Sequence, residues 1–362
     1  MRALCVTNYS DRPEAETFIG LNRLGVDVHV LCPDSAPHFE RFVNAGVPVH
    51  NLKINGRMDL KAIRTIRQFL IEKRIDILHM FNNRAVSNGL LASLQLPVST
   101  IAYRGTVGNV SYFDPGSWMT YLNPRVDRIV CVSEAVRQYF LNLNLLGHRF
   151  PPHKPVTIYK GHSLEWYRSE PVDLTQFGIS HDDFVVGCTA NYRPHKGLHV
   201  LIESLNLLPG ELPIHLLLIG DMQAPKLLKL IHRHPKSDRI HLAGYRTDAP
   251  ALQAACDTVV LPALRREGLP KVIIEAMAYG VPPIVTDSGG SPELIENGVS
   301  GIVVKPGDAQ ELARAIQNLA EDPQGRRTMG NSARERIAAD FKIETTIQQT
   351  LRLYDSCLKC AV

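Results

Sequence analysis

Short apolar runs alternate with amphipathic stretches along the whole of this chain, and they fall into two sets. In the first half, runs rich in β-branched residues predict strands at 2–6, 26–31, 75–80, 98–103, 128–132 and 156–159. Stretches such as 60–73 lie between them and carry apolar residues at helical spacing. The pattern then restarts, with strands expected at 185–190, 214–219, 240–243, 258–261, 283–286 and 301–304. Strands that are hydrophobic throughout and separated by helices imply parallel sheets covered on both faces. Between the sets, residues 164–182 are polar and irregular and read as a linker. The expected fold class is therefore α/β, with two Rossmann-like doubly wound domains facing a central cleft. In such folds ligands bind at the carboxyl ends of the strands. The expected domains are 1–165, 166–340 and a final segment 341–362, whose helix-like pattern predicts a helix packing back on the first domain.

The 362-residue length suits two domains. No run approaches the ~18 uninterrupted apolar residues of a membrane-spanning helix. The N-terminus, MRALCVTNYS, reads as a first strand and not as a leader, which places the protein in the cytoplasm. Charge is uneven. Residues 1–165 hold 19 Lys+Arg against 13 Asp+Glu, a net of +6, which leaves 21 against 23 for the remainder. A basic first half suits an anionic surface, so peripheral contact with the inner face of an anionic membrane is a candidate interaction. Cys5, Cys32, Cys131 and Cys188 sit in or beside strand-like runs and read as small core residues. Cys357 and Cys360 form a C-x-x-C without a second pair or a nearby His, so they read as two positions on the last helix.

The stretch 267–296, EGLPKVIIEAMAYGVPPIVTDSGGSPELIE, reads as loop, helix, strand, loop, helix. Gly268, Leu269 and Pro270 open a helix running to Met277, and a second helix is expected from Pro292. The start of the first helix offers unpaired N–H groups and partial positive charge, a ready phosphate site. Glu267 and Glu275 flank that turn eight positions apart, marking two points along an elongated ligand. Their carboxylates suit hydroxyl groups. This stretch resembles the E-x(7)-E region of the family 4 glycosyltransferases, retaining enzymes of the GT-B fold. The resemblance implies that Glu267 contacts donor-sugar hydroxyls. It also implies that backbone groups at Gly268, Leu269 and Pro270 contact sugar and phosphate, and that Glu275 holds the ribose.

A second stretch, 189–198 (TANYRPHKGL), resembles the family's basic element ending in Lys-Gly. The resemblance assigns Arg193 and Lys196 to the donor diphosphate, where they would stabilise the departing nucleotide. In a third, AGYR at 243–246, Tyr245 and Arg246 fall where relatives place the base. Residues 287–290 and Glu293 match the family's supporting loop. In the first half, 127–136 (DRIVCVSEAV) resembles the family's strand-loop-helix, with Ser133 as a helix cap.

Three departures stand out. Thr7-Asn8-Tyr9-Ser10 replaces a Gly-Gly loop, and Lys160-Gly161-His162-Ser163 replaces an Asn-Gly-Ile/Val-Asp element. Where many relatives carry a His, Arg104-Gly105-Thr106 stands instead. Arg104, His79 and Asn8 are therefore the candidates on the acceptor or phosphate side. No D-x-D motif or metal-spaced ligand set is present, so neither a metal nor a further cofactor is expected. The expected activity is retaining, metal-independent transfer of a sugar from a nucleoside diphosphate donor, with UDP-sugar favoured. The expected acceptor is a cell-surface glycan or lipid-linked acceptor of the lipopolysaccharide or exopolysaccharide kind. The alternatives are a small soluble acceptor, a sugar-nucleotide-binding protein without transfer activity, and a sugar-nucleotide epimerase. Nucleic acid is not an expected partner.

Overall fold

The computed structural model describes residues 1–359. The chain forms two compact units. The first comprises Met1–Gly161 together with the segment from Phe341, and the second comprises His162–Asp340.

In the first unit the strands are β1 (Arg2–Val6), β2 (Asp27–Cys32), β3 (Val49–Asn51), β4 (Ile77–Met80), β5 (Ser99–Arg104), β6 (Arg128–Cys131), β7 (Asn144–Leu145), β8 (His148–Arg149) and β9 (Pro155–Thr157). Seven form one parallel sheet in the order β3-β2-β1-β4-β5-β6-β9. β7 and β8 form a separate antiparallel hairpin. β1 shows why the pattern folds this way. Its residues Ala3, Leu4, Cys5 and Val6 are all fully buried, which only a central strand covered on both faces permits. Helix starts follow from short polar caps. Asp11 accepts from Glu14 N at 3.0 Å to open helix Arg12–Arg23, and Ser133 accepts from Val136 N to open Glu134–Leu141. The last helix, Ile343–Lys359, packs against helix Arg12–Arg23 within this unit. Its Tyr354 is fully buried, and Cys357 lies on it while Cys360 lies outside the described residues.

In the second unit β10 (Phe184–Thr189), β11 (Ile214–Ile219), β12 (Ile240–Gly244), β13 (Thr258–Leu261), β14 (Pro283–Thr286) and β15 (Ile302–Val304) form a parallel sheet, ordered β12-β11-β10-β13-β14-β15. Each sheet reverses its winding direction beside its first strand. The switch points are β1/β4 and β10/β13, where doubly wound folds hold ligands.

Three details differ from the sequence expectations. β3 and the β7–β8 hairpin are additional, short and partly polar. The helix expected from Gly268 begins at Lys271, because Pro270 holds an extended backbone (φ −72°, ψ 108°) in the capping position. The helix expected from Pro292 is a single 3₁₀ turn, Pro292–Leu294. Arg336 takes the carbonyls of Glu293 and Leu294, and Gly298 N donates to Gly301 O, so the helical ladder cannot continue. Among the described residues no helix is long and apolar enough to cross a membrane.

Candidate active site

Two loops meet at the β10/β13 switch point. The chain leaves β10 at Thr189, runs through Arg193, makes a 3₁₀ turn at Pro194–Lys196 and reverses at Gly197. From β13 it runs through 262–270 into helix Lys271–Ala278. Gly197 holds φ +71°, and a Cβ there would lie 1.8 Å from Pro262 O. Only glycine permits both the left-handed backbone and that approach. Leu264 N donates to His195 O at 2.8 Å and fixes the two loops side by side.

This packing brings together residues 71 positions apart. Lys196 Nζ lies 2.7 Å from Glu267 Oε1. Glu267 is 6% exposed. Its backbone is held from the far side by Gly289, at φ +58°, where a Cβ would meet Glu267 O at 2.0 Å. Gly290 N also points to that carbonyl, at 3.4 Å. The Gly-Gly loop therefore supports Glu267 through main-chain contact, which explains the glycine at 289 without any chemistry of its own.

Gly268 and Pro270 are buried and Leu269 is half-buried in the same loop. The first turn of the following helix, at Lys271 and Val272, offers N–H groups that a helix leaves unpaired. Glu275 is buried one turn on, with Lys271 Nζ 2.9 Å from its Oε1. Each glutamate thus has an ammonium beside it, which orients its carboxylate. Arg193 is exposed at the mouth of the Lys196 turn. Burial and then the neighbouring Lys196 charge lower the His195 pKa, so that imidazole is neutral beside the two cations.

Beyond these loops, the carboxyl ends of β10, β11 and β12 enclose a cavity of about 410 Å³. Asn191, Gly220, Asp221, Met222, Gln223, Gly244 and Tyr245 line it. Asp221 N donates to Asn191 Oδ1 at 3.0 Å, and Gly220 N to Gly244 O at 2.8 Å, which fixes the loops that line it. Tyr245 is exposed at its rim, whereas Arg246 turns away into a bidentate pair with Asp248 at 2.7 and 2.8 Å. Sequence reasoning included Tyr245 but missed Asn191 and Asp221. Their signal was position alone, directly after strands β10 and β11.

The first-unit candidates do not share one place. Arg104 is 5% exposed and spends its guanidinium on its own loop. It donates to Thr106 O at 2.9 Å and to Gly108 O, and lies 4.9 Å from the Tyr121 ring centroid. His79 is in the core. Its Nδ1 lies 2.9 Å from Tyr354 Oη, and burial lowers its pKa to about 3, so it stays neutral. Asn8 clamps Ile54, accepting from its N–H at 3.2 Å and donating to its carbonyl at 2.8 Å. All three are bound into the fold, because strand ends this well buried satisfy polar side chains locally. Lys160 instead reaches across to Asp11 Oδ2 at 2.6 Å, a contact not foreseen from the sequence. Among the described residues no three His, Cys, Asp or Glu side chains converge as a metal cage.

With this geometry in place, the comparisons with known proteins agree between the two halves. A model described as Glycosyltransferase Family 4 matches residues 16–166, and one described as Glycosyl transferases group 1 matches 170–336. The lipopolysaccharide core biosynthesis glycosyltransferase LpsE of Rhizobium meliloti is 32% identical over 186 residues. That match covers 51% of this chain and 54% of LpsE, so it spans about half the length of that relative. The Escherichia coli UDP-Gal:α-D-GlcNAc-diphosphoundecaprenol α-1,3-galactosyltransferase is 23% identical over 353 residues, covering 91% of this chain and 88% of the relative. Among solved structures, Anabaena HepE in complex with UDP superposes with a TM-score of 0.80 at 25% identity, over 98% of this chain and all of that one.

Proposed function

From the premise that this chain belongs to the GT-B glycosyltransferases of the group 4 type, we propose that it transfers a sugar from a nucleoside diphosphate donor to a glycan or lipid-linked acceptor in cell-surface polysaccharide synthesis. The observation that carries the reading is the 2.7 Å contact between Lys196 and Glu267 at the β10/β13 switch point. It joins a cation suited to a leaving phosphate with a carboxylate suited to sugar hydroxyls. UDP is the favoured nucleotide. Support comes from the UDP bound by Anabaena HepE and the UDP-Gal named for the E. coli relative. The base and ribose fit the 410 Å³ cavity and Glu275, and the diphosphate fits Arg193, Lys196 and the first turn at Lys271.

In the transition state the anomeric carbon gains positive charge and the diphosphate gains negative charge. Arg193 and Lys196 stabilise the latter more than the ground state, and that difference is what accelerates the step. Glu267 holds the sugar in place for the departure. Transfer proceeds with retention, the outcome the family resemblance implies, and the residues assigned here perform it without a metal. The experiment is proton NMR of the anomeric signal after reaction with UDP-glucose and UDP-galactose. An α product from the α donor supports retention, and a β product refutes it.

We propose further that a surface of the first unit docks on the membrane that carries the acceptor. Met58, Leu60, Phe113 and Trp118 are exposed, Phe113 by 84%. Exposed Lys53, Arg57, Lys61 and Arg64 lie among them, and the Arg57 guanidinium packs on Gly116 and so ties the two loops together. Apolar tips among cations suit an anionic lipid surface. Co-sedimentation with phosphatidylglycerol vesicles tests this. Phe113→Ser abolishes binding if these loops dock, and unchanged binding refutes that surface.

A further inference from the structure

Among the described residues five that are not glycine hold a left-handed backbone: Arg74, Gln95, Asn109, Leu146 and Arg266. Four have a local reason. Arg74 and Gln95 fall just past the ends of helices Leu60–Glu72 and Asn83–Ala92, and Leu146 turns the β7–β8 hairpin. Asn109 is of a type that adopts this conformation readily. Arg266 has none of these reasons. It holds φ +72° within the loop from β13 to helix Lys271–Ala278, directly before Glu267. A Cβ crowds its own carbonyl there, so the conformation persists only where neighbours impose it. They do so from both sides. Thr286 donates to Ala263 O, and Leu264 N donates to His195 O. Beyond the turn, Gly289 and Gly290 close on the Glu267 main chain. The reversal between these fixed points falls on Arg266, which leaves Glu267 buried and Arg266 exposed.

The side chain so presented joins a group. Burial and then Lys196 lower the His195 pKa, and Arg193 and Arg266 act in the same direction. Three cations therefore lie within electrostatic reach of one imidazole. Glu267 opposes them, but it already pairs with Lys196 at 2.7 Å. Among the described residues, no ion pair or side-chain hydrogen bond holds Arg193 or Arg266. Converged like charges repel, which disfavours the arrangement until an anion joins it. A backbone held in strain so that it offers an unpaired guanidinium beside two other cations suits a ligand contact and not a fold contact.

We propose that Arg266 is a further catalytic residue, whose guanidinium joins Arg193 and Lys196 on the donor diphosphate and takes up charge as the nucleotide departs. This rests on the glycosyltransferase reading above. When the bond from the anomeric carbon to the diphosphate oxygen breaks, its electron pair stays on that oxygen. The anomeric carbon bonds to the acceptor oxygen, whose proton is released, and the diphosphate gains a negative charge. An exposed guanidinium fork with no partner in the fold is free to meet that charge, and it interacts more strongly with the departing nucleotide than with the intact donor. The left-handed backbone is the means of placing it. Glycine at 266 would make the same turn without strain and without the cation.

The test compares variants of the full-length protein by melting temperature, by titration with UDP and by UDP release at saturating donor. Uridine, which has the base and ribose but no phosphate, is the control, read by saturation-transfer NMR. Arg266→Gly relieves the left-handed strain and is expected to melt at or above wild type. Its UDP affinity is expected to fall roughly tenfold or more, the size of a lost charge-assisted hydrogen bond, with uridine binding unchanged. Its turnover is expected to fall on the order of 10²-fold. Arg265→Ala, at the neighbouring exposed position, is expected to bind UDP like wild type. Undiminished UDP affinity or turnover in Arg266→Gly overturns the assignment. So does a loss shared equally by uridine, a loss of the same size in Arg265→Ala, or a melting temperature of Arg266→Gly below wild type. A wild type that does not bind UDP overturns the donor reading, and the assignment falls with it.

Discussion

Replacing Lys196 by Met separates its role in the fold from its role toward the donor. The side chain is a quarter exposed and Glu267 is nearly closed off, with N and O 2.7 Å apart. At an effective dielectric constant of about 20, two unit charges at that distance attract by roughly 6 kcal/mol before desolvation is subtracted. Much of this is offset by the desolvation of both groups. What remains on truncation is chiefly a buried carboxylate without its partner, expected to destabilise by about 1–3 kcal/mol. For a unit of this size that lowers the melting temperature by about 2–4 °C per kcal/mol. Lys196→Met combined with Glu267→Gln removes the stranded charge and should recover most of the loss. Turnover behaves differently. Removing one group that stabilises the transition-state charge costs on the order of 10²–10³ in kcat. The double variant therefore melts near wild type and stays inactive. The assay pairs scanning calorimetry with UDP release at saturating donor. A Lys196→Met protein with undiminished turnover would falsify the leaving-group role, and a double variant that regains activity along with stability would show the pair to be only structural.

Other outcomes follow from the same geometry. Gly197→Ala forces a Cβ against Pro262 O in a left-handed backbone, so it should cost at least the ~1–2 kcal/mol of that conformation and disturb Lys196; a melting temperature and UDP affinity both equal to wild type would exclude the close approach. Glu14 binds a proton more tightly when folded, with a pKa raised from 4.5 to about 8, so wild-type stability declines as pH rises from about 4.5 to 8 and stays lowered above that. Glu14→Gln should flatten this decline, and parallel pH–stability curves for the two proteins would show the carboxyl to be unperturbed. His79 has the opposite sign. Its pKa falls from 6.5 to about 3 on folding, so its contribution is complete above about 6.5 and is lost as pH drops toward 3. Tyr354→Phe removes the hydroxyl facing its Nδ1 and should destabilise by about 1 kcal/mol in urea unfolding; no change in midpoint would remove the hydrogen bond from consideration.

Much of the architecture was readable from hydrophobic pattern alone. β1, β11, β13 and β14 coincide with their runs to the residue, because strands buried on both faces are apolar almost throughout. β3 was invisible because His50 and Asn51 are exposed on an edge strand of three residues. Glu267–Pro270 and Lys196-Gly197 could be singled out as candidates because each is a contiguous run. Their meeting through Gly197 and Pro262 O depends on the packing of two loops, which spacing does not encode. The first unit was harder. Arg104, His79 and Asn8 had the right chemistry at strand ends, but local carbonyls and Tyr354 claim them. The Asp11–Lys160 pair went unforeseen because Asp11 was not singled out and Lys160 was read only as a local departure, and the contact that joins them spans most of the unit.

The most direct measurement is isothermal titration of the full-length protein with UDP, with GDP and dTDP as controls, repeated on Lys196→Met. A donor site built on the second unit predicts saturable binding of UDP in preference to the other two, at least tenfold weaker in the variant if the charge-assisted contact is made. Binding that is absent for every nucleotide, or that is indifferent to Lys196, contradicts it.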